Sequence, residues 1–151
     1  MAVYFSSKAG ETNATYNGGY GASLNIKSMQ EEVTIPVGQG AGGVVTTGNL
    51  APANSLMIGV SFIVTDAPGG GATILDIGRT AIDTDEFIDG VACASLNQTG
   101  NFYANHNVAV TYPPFNGTAT TLTLTTDSNV TGNGMKVRVV VFYYDLTPPT
   151  S

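Results

Sequence analysis

The stretch "MKVRVVVFYY" (residues 135–144) shows the period-two alternation that is typical of a β-strand. One side of the predicted strand carries Met135, Val137, Val139, Val141 and Tyr143. The other side begins with Lys136 and Arg138 and continues with Val140, Phe142 and Tyr144. Because successive side chains of a strand point to opposite faces, this pattern predicts one face in a core. The second face is predicted to begin in water and to end covered.

Two further stretches repeat the alternation. In "SLMIGVSFIVT" (55–65) it places one set of residues on a common face: Leu56, Ile58, Val60, Phe62 and Val64. The other face would carry Met57, Gly59, Ser61, Ile63 and Thr65. In "TTLTLTT" (120–126), Leu122 and Leu124 are predicted to point inward, with the threonines facing solvent.

Turn signals separate these strands and indicate the fold class. "APGGG" (67–71) predicts a hairpin-type loop, and Asn116-Gly117 and "TGNG" (131–134) predict further turns. The predicted strands cover 24–28, 31–37, 43–47, 55–66, 72–78, 90–95, 101–104, 107–112, 118–126 and 135–146. Strands without intervening helices indicate an all-β chain, an antiparallel β-sandwich of the jelly-roll type over residues 24–151.

The N-terminal segment differs from the rest in composition. Residues 6–23, "SSKAGETNATYNGGYGAS", hold almost no aliphatic side chains. Such a segment buries too little apolar surface to offset its own ordering. The segment is therefore predicted to be either a mobile tail or an arm that becomes ordered on another subunit. The favoured prediction is an extended N-terminal arm at residues 1–23.

Composition excludes several classes of function. The chain has 151 residues, a formal net charge of −6, and only five Lys and Arg, which form no cluster. Nucleic-acid binding is therefore not expected. The longest apolar run, residues 56–64, is far shorter than the ~20 residues of a membrane span, so no membrane is expected. The single cysteine, Cys93, lies among small apolar residues and is predicted to be buried.

The stretch "DIGRTAIDTDEFIDG" (76–90) is the most acidic part of the sequence and suggests a metal site. Asp83 and Asp85 fit the first two ligand positions of an EF-hand loop, but Phe87 stands where the third ligand is required. Asp83, Asp85 and Asp89 are nevertheless candidate ligands of a Ca²⁺ site of another kind.

A structural interpretation accounts for the same stretch more fully. Asp83 fits the N-cap of a short helical turn, Glu86 the reciprocal position three residues later, and Gly90 the end of the turn. The favoured prediction is therefore a capped turn, with no metal and no cofactor.

Motifs for catalysis are incomplete. "GQGAGG" (38–43) matches a nucleotide-binding pattern, but a β-branched run follows it where a helix is required. His106 is the only histidine, and no nucleophile elbow is present. An enzyme is therefore not expected. The aromatic residues leave a carbohydrate-binding module as an alternative, through a platform built from Tyr103, Tyr112, Phe115, Tyr143 and Tyr144.

A resemblance extends over residues 33–149. The succession "VTIPVGQG", "LAPANSLMIGVSFIVTDAPGGGATILDIG", "TDEFIDGVACA" and "TLTLTTDSNVTGNGMKVRVVVFYYDLTPP" resembles small β-sandwich virion proteins of tailed bacteriophages. The resemblance lies in strands and turns, so no functional residue is carried over.

That resemblance implies a non-enzymatic structural protein on a phage particle. The expected role is a capsid decoration (cement) protein on the outer surface of the capsid, which stabilises the lattice. Its expected partners are the major capsid protein and copies of itself, in a trimer by analogy. The alternatives are a tail or fibre component and a carbohydrate-binding (receptor-binding) β-sandwich module.

Overall fold

The computed structural model describes residues 26–39, 43–79, 82–103 and 115–146. Within these ranges the regular secondary structure is entirely β, in nine strands: β1 (Ile26–Ile35), β2 (Val44–Thr46), β3 (Ser55–Asp66), β4 (Ile74–Arg79), β5 (Asp83–Ala92), β6 (Thr99–Tyr103), β7 (Phe115–Asn116), β8 (Leu122–Thr126) and β9 (Met135–Asp145). The described part of the chain contains no helix that could cross a membrane.

The strands form two antiparallel sheets. The five-stranded sheet has the order β1-β9-β3-β6, with the short β7 also paired to β3. The four-stranded sheet has the order β2-β8-β4-β5. The predicted all-β fold with an antiparallel sandwich is therefore confirmed. The jelly-roll type stays a prediction, as does the division into an arm and a body, because residues 1–23 lie outside the described residues.

The core lies between the two sheets. The face of β9 predicted to point inward does so, since Met135, Val137, Val139 and Val141 are almost completely buried. Leu122 and Leu124 of β8 meet this face from the other sheet, as predicted. At one side of the sandwich, the rings of Phe87 (β5) and Phe102 (β6) pack with centroids 5.3 Å apart and so join the two sheets.

A β-bulge changes the predicted faces of β3. The pairing with β9 skips Ile58, because Met57 pairs with Tyr143 and Gly59 with Phe142. One extra residue reverses the alternation on one side of the bulge. Met57 is therefore buried in the core, while Leu56 and Ile58 lie half-buried on the outer face. The prediction that Leu56 and Ile58 share a face with Val60, Phe62 and Val64 was wrong.

The loop at residues 67–71 was also predicted incorrectly. It does not close a hairpin, because β3 and β4 belong to different sheets. The loop instead crosses the edge of the sandwich and is held at Gly70 by an isolated bridge to Thr131. A hairpin and a crossing need the same kind of flexible turn residues, so the glycines alone did not distinguish them.

The acidic stretch forms a strand, which corrects the prediction of a capped helical turn. β5 pairs with β4 in an antiparallel arrangement that contains two register shifts, one between Leu75 and Ile77 and one between Ile77 and Arg79. Phe87 and Ile88 are buried, as the capped-turn interpretation also required. The edge of β4 offers this stretch a row of backbone hydrogen bonds, and these outweigh its local turn preference.

The threonines of β8 are less exposed than predicted. Thr123 and Thr126 are 1% and 3% exposed. Thr123 pairs with Gly78 of β4, and the backbone at the start of β5 lies directly over Gly78. The outer face of the four-stranded sheet is therefore covered at this point by the backbone of Asp83 and Thr84, at the start of β5.

Asp127 fixes the turn after β8 to the start of β4. Its carboxylate accepts hydrogen bonds from the backbone N–H groups of Thr73 and Ile74, at 2.9 and 3.0 Å, and from the Thr73 hydroxyl at 2.6 Å. Partial desolvation acts to raise the pKa of Asp127, but these hydrogen bonds outweigh it and lower the pKa to about 2. The ionised carboxylate is therefore the form that the folded chain holds.

We expect Asp127→Ala to lower the free energy of unfolding by about 1 kcal/mol at pH 7, the usual cost of losing a capping side chain. Because the folded pKa lies below the ordinary value of 3.8, this contribution is fully present above that value and is lost as the pH falls towards 2. Urea denaturation of both proteins at pH 7 and pH 2 measures the effect. A stability difference that stayed the same at both pH values would contradict this account.

Candidate interaction surface

The outer face of the five-stranded sheet divides into a charged end and an apolar end. At the charged end, Arg138 of β9 lies 3.3 Å from Glu32 of β1, and both side chains are well exposed. Lys136 is exposed on the same face. Exposed ion pairs of this kind contribute little to stability. The charged end is therefore an ordinary solvated surface, as predicted for the first part of β9.

The apolar end carries a groove. Its walls are Ile26 of β1, Ile58 and Gly59 of β3, and Phe142 of β9, and its volume is about 310 Å³. Ile26 is 58% exposed, although it is a large aliphatic side chain. The bulge at Ile58 produces the groove, because it turns this isoleucine outward beside a glycine with no side chain. We call these four residues the outer groove.

Residues around the outer groove are also apolar. Val140 and Tyr144 of β9, with Leu56 of β3, lie half-buried on the same face. Half-buried apolar side chains thus adjoin the exposed Ile26 at this end of the face, which makes it a candidate site of contact with another molecule. The alternation of β9 predicted that other parts of the protein cover this end of the face. The residues that the structure describes cover it only in part.

A buried polar network joins the two sheets at another place. Arg79 of β4 donates two hydrogen bonds to the carboxylate of Glu86 in β5, from Nε at 2.7 Å and from Nη2 at 2.6 Å. The two side chains are only 11% and 9% exposed. Arg79 also donates from Nη1 to the side-chain oxygen of Asn116 in β7, at 3.0 Å.

The network continues into the five-stranded sheet. Asn116 donates to the hydroxyl of Ser55 in β3 at 3.3 Å, and that hydroxyl donates to the carbonyl oxygen of Pro52. Arg79 therefore has a bidentate partner on its own sheet and a neutral partner on the facing one. This arrangement fixes the relative position of the two sheets, and it gives Glu86 a structural role in place of the predicted capping role.

The three candidate metal ligands lie exposed on β5. The carboxylates of Asp83 and Asp85 interact directly: their hydrogen bond raises the pKa of Asp85, with a further contribution from the charge of Asp83, and lowers the pKa of Asp83. Within the described ranges, no three carboxylate, histidine or cysteine side chains form a group that could hold a metal ion. A role of Asp83, Asp85 and Asp89 in Ca²⁺ binding stays a prediction.

The other candidate residues are separated in the fold. Tyr143 faces the core and Tyr144 the outer face, so these two cannot belong to one sugar-binding platform. His106 and Tyr112 lie outside the described residues. Cys93 is buried, as predicted. Burial, with the nearby charges of Asp127 and Asp76, raises the pKa of its thiol to about 12, so it is not a nucleophile at neutral pH.

Comparison with known proteins shows a similarity of structure only. No protein-family model and no curated protein sequence matches the chain. A chain of the capsid asymmetric unit of cyanophage Pam1 matches with 19% identity and a TM-score of 0.52, over 80% of this chain and 84% of the other. A chain of the acid-stable capsid of Helicobacter pylori bacteriophage KHP30 matches with 12% identity and a TM-score of 0.46, over 80% of this chain and 93% of the other. The match to the cyanophage chain shows that the two share a fold.

Proposed function

We propose that this chain is a non-enzymatic structural protein of a bacteriophage virion, and that it is a capsid decoration (cement) protein on the outer surface of the head. The observation that carries the proposal is the fold shared with a chain of a phage capsid asymmetric unit, over 80% of this chain. The strand order β1-β9-β3-β6 facing β2-β8-β4-β5 supports the jelly-roll assignment, an architecture common in capsid proteins.

The described surface fits a role in binding rather than in chemistry. The outer groove is apolar and carries no charged side chain. The buried charges, Arg79 and Glu86, are committed to each other in the network between the sheets. The chain therefore offers contact surface on a rigid body. Its partners in the proposal are the major capsid protein and neighbouring copies of itself, arranged as a trimer.

The N-terminal arm (residues 1–23) supplies the attachment in this proposal. An extended segment gains backbone hydrogen bonds when it adds to the edge of a neighbouring sheet. Each such contact is weak, but many copies on a symmetric lattice bind together, and their joint affinity greatly exceeds that of one contact. The paucity of aliphatic side chains in residues 6–23 suits an arm that depends on backbone contacts.

Deletion of residues 1–23 is expected to abolish or strongly reduce binding to phage heads that lack the protein. The measurement is occupancy on purified heads, by co-sedimentation and by electron cryo-microscopy with and without added protein. A full-length variant with residues 1–23 shuffled is the matched control, because it keeps length and composition. Unchanged occupancy of the deletion variant would contradict the arm mechanism. Density on the tail instead of the head would contradict the decoration role.

A further inference from the structure

We propose that the outer groove receives the first five residues, "MAVYF", of a neighbouring copy of this chain. The groove needs an apolar occupant, because its walls are Ile26, Ile58, Gly59 and Phe142. A hydrophilic partner would leave its polar groups without hydrogen bonds in such a place. The inference rests on one part of the proposed function, namely that copies of this chain stand side by side on the particle.

The sequence before Ile26 supplies a matching segment. Residues 1–5 contain Met1, Val3, Tyr4 and Phe5, whereas residues 6–23 carry almost no aliphatic side chains. An apolar tip is thus separated from the body by a polar spacer. Its side chains are of the size that the groove admits, since a volume of about 310 Å³ holds one or two large side chains but not a folded element.

The length of the spacer lets the tip reach another subunit. Twenty residues separate Phe5 from Ile26, and fully extended they span about 66 Å. A compact domain of this size is roughly 35–40 Å across. The spacer can therefore carry the tip past its own body to the same groove on the next copy.

The position of the arm's attachment favours exchange between copies. β1 joins the sheet at Ile26, which is itself a wall of the outer groove. Each copy therefore presents the root of its arm beside the site that receives another copy's tip. In a closed ring every copy gives one tip and receives one, so the contacts reinforce one another.

The test uses disulfide formation between two full-length single-cysteine additions. A chain carrying Val3→Cys is mixed with a chain carrying Ile58→Cys under mild oxidation, and a covalent heterodimer is the expected product. Lys136→Cys is the matched control, because Lys136 lies on the same face at the charged end, six residues from Phe142, or about 20 Å along β9. The native Cys93 is buried and stays unreactive.

Three results would overturn the inference. The first is a Val3→Cys/Ile58→Cys double variant that closes a disulfide within one chain while the mixed single variants give no heterodimer. The second is the absence of any cross-link, which is the result expected if residues 104–114 of the same chain fill the groove instead. These residues follow β6, the strand that pairs with Gly59. The third is equal cross-linking to Lys136→Cys, which would indicate unspecific collision.

A second measurement does not depend on cysteine chemistry. Phe5→Ser is expected to weaken self-association about tenfold or more, since it removes a buried aromatic side chain from each contact, whereas Ser7→Ala should leave it unchanged. Sedimentation equilibrium measures both. If the variants cross-link but the protein does not bind phage heads, the proposed function is refuted and the groove inference is not. Head binding that depends on the arm, without cross-linking, would refute only the groove.

Discussion

The Gly78→Ala variant is expected to lose about 3 kcal/mol or more of its free energy of unfolding. A Cβ atom on residue 78 would lie 1.9 Å from the carbonyl oxygen of Asp83 and 2.5 Å from the carbonyl carbon of Thr84. Both are backbone atoms of β5, so a side-chain rotation cannot relieve the contact. The start of β5 would have to move away from β4, which would expose Thr123 of β8, the residue that pairs with Gly78.

Gly48→Ala is the matched control for this prediction. A Cβ there would meet only the Oε2 atom of Glu31 at 3.2 Å, which is the end of a flexible side chain. Denaturant unfolding of the three proteins gives the comparison. If Gly78→Ala and Gly48→Ala shift the unfolding midpoint by similar amounts, the close approach of β5 to β4 is not what stabilises this edge.

Replacing Arg79 by Met is expected to destabilise the fold by about 3–5 kcal/mol, because it leaves the carboxylate of Glu86 in a nearly buried position without its cation. The loss also removes the hydrogen bond to Asn116, and with it a link between the two sheets. Thermal and chemical unfolding measure the change. Since such a domain is stable by only about 5–15 kcal/mol, the variant should melt at a much lower temperature.

The double variant Arg79→Met/Glu86→Leu separates charge from packing. Apolar residues in place of a buried ion pair often retain stability, so this variant should recover much of the loss. A surface pair gives the scale for comparison: Lys27→Met removes the exposed ion pair with Asp145 and should lower the free energy of unfolding far less than Arg79→Met does. If Arg79→Met costs no more than Lys27→Met, the buried network is not a clamp between the sheets.

Strands were predicted correctly where the alternation of apolar and polar residues depends only on which face of the strand is buried. The alternation of β9 correctly assigned every second residue, from Met135 to Tyr143, to the core, and the range of β3 was predicted to the residue. Side-chain period and apolar content are properties of the chain itself, and a sheet with one buried face requires both. The sandwich class follows from the same pattern, because alternating strands without helices have few other ways to bury their apolar faces.

The errors share a different cause. The bulge at Ile58, the crossing at residues 67–71 and the strand formed by Asp83–Ala92 each depend on which strand lies alongside. The residues around a position do not show which distant strand will lie beside it. A stretch rich in turn-forming residues can also form a strand when it lies next to the unpaired edge of a sheet. The outer groove was missed for this reason: without the bulge, Ile58 is assigned to the core, and the groove loses a wall.

Alternation and turn residues are local properties of the chain, and they were sufficient to predict an all-β body with the inner faces of β8 and β9 in its core. The acidic partner of Arg79, the strand that carries the bulge, and the place where apolar surface remains outside the core could be found only from the three-dimensional arrangement of the strands. Those features arise from pairings between residues far apart in the chain, whose energies depend on three-dimensional neighbours rather than on sequence neighbours.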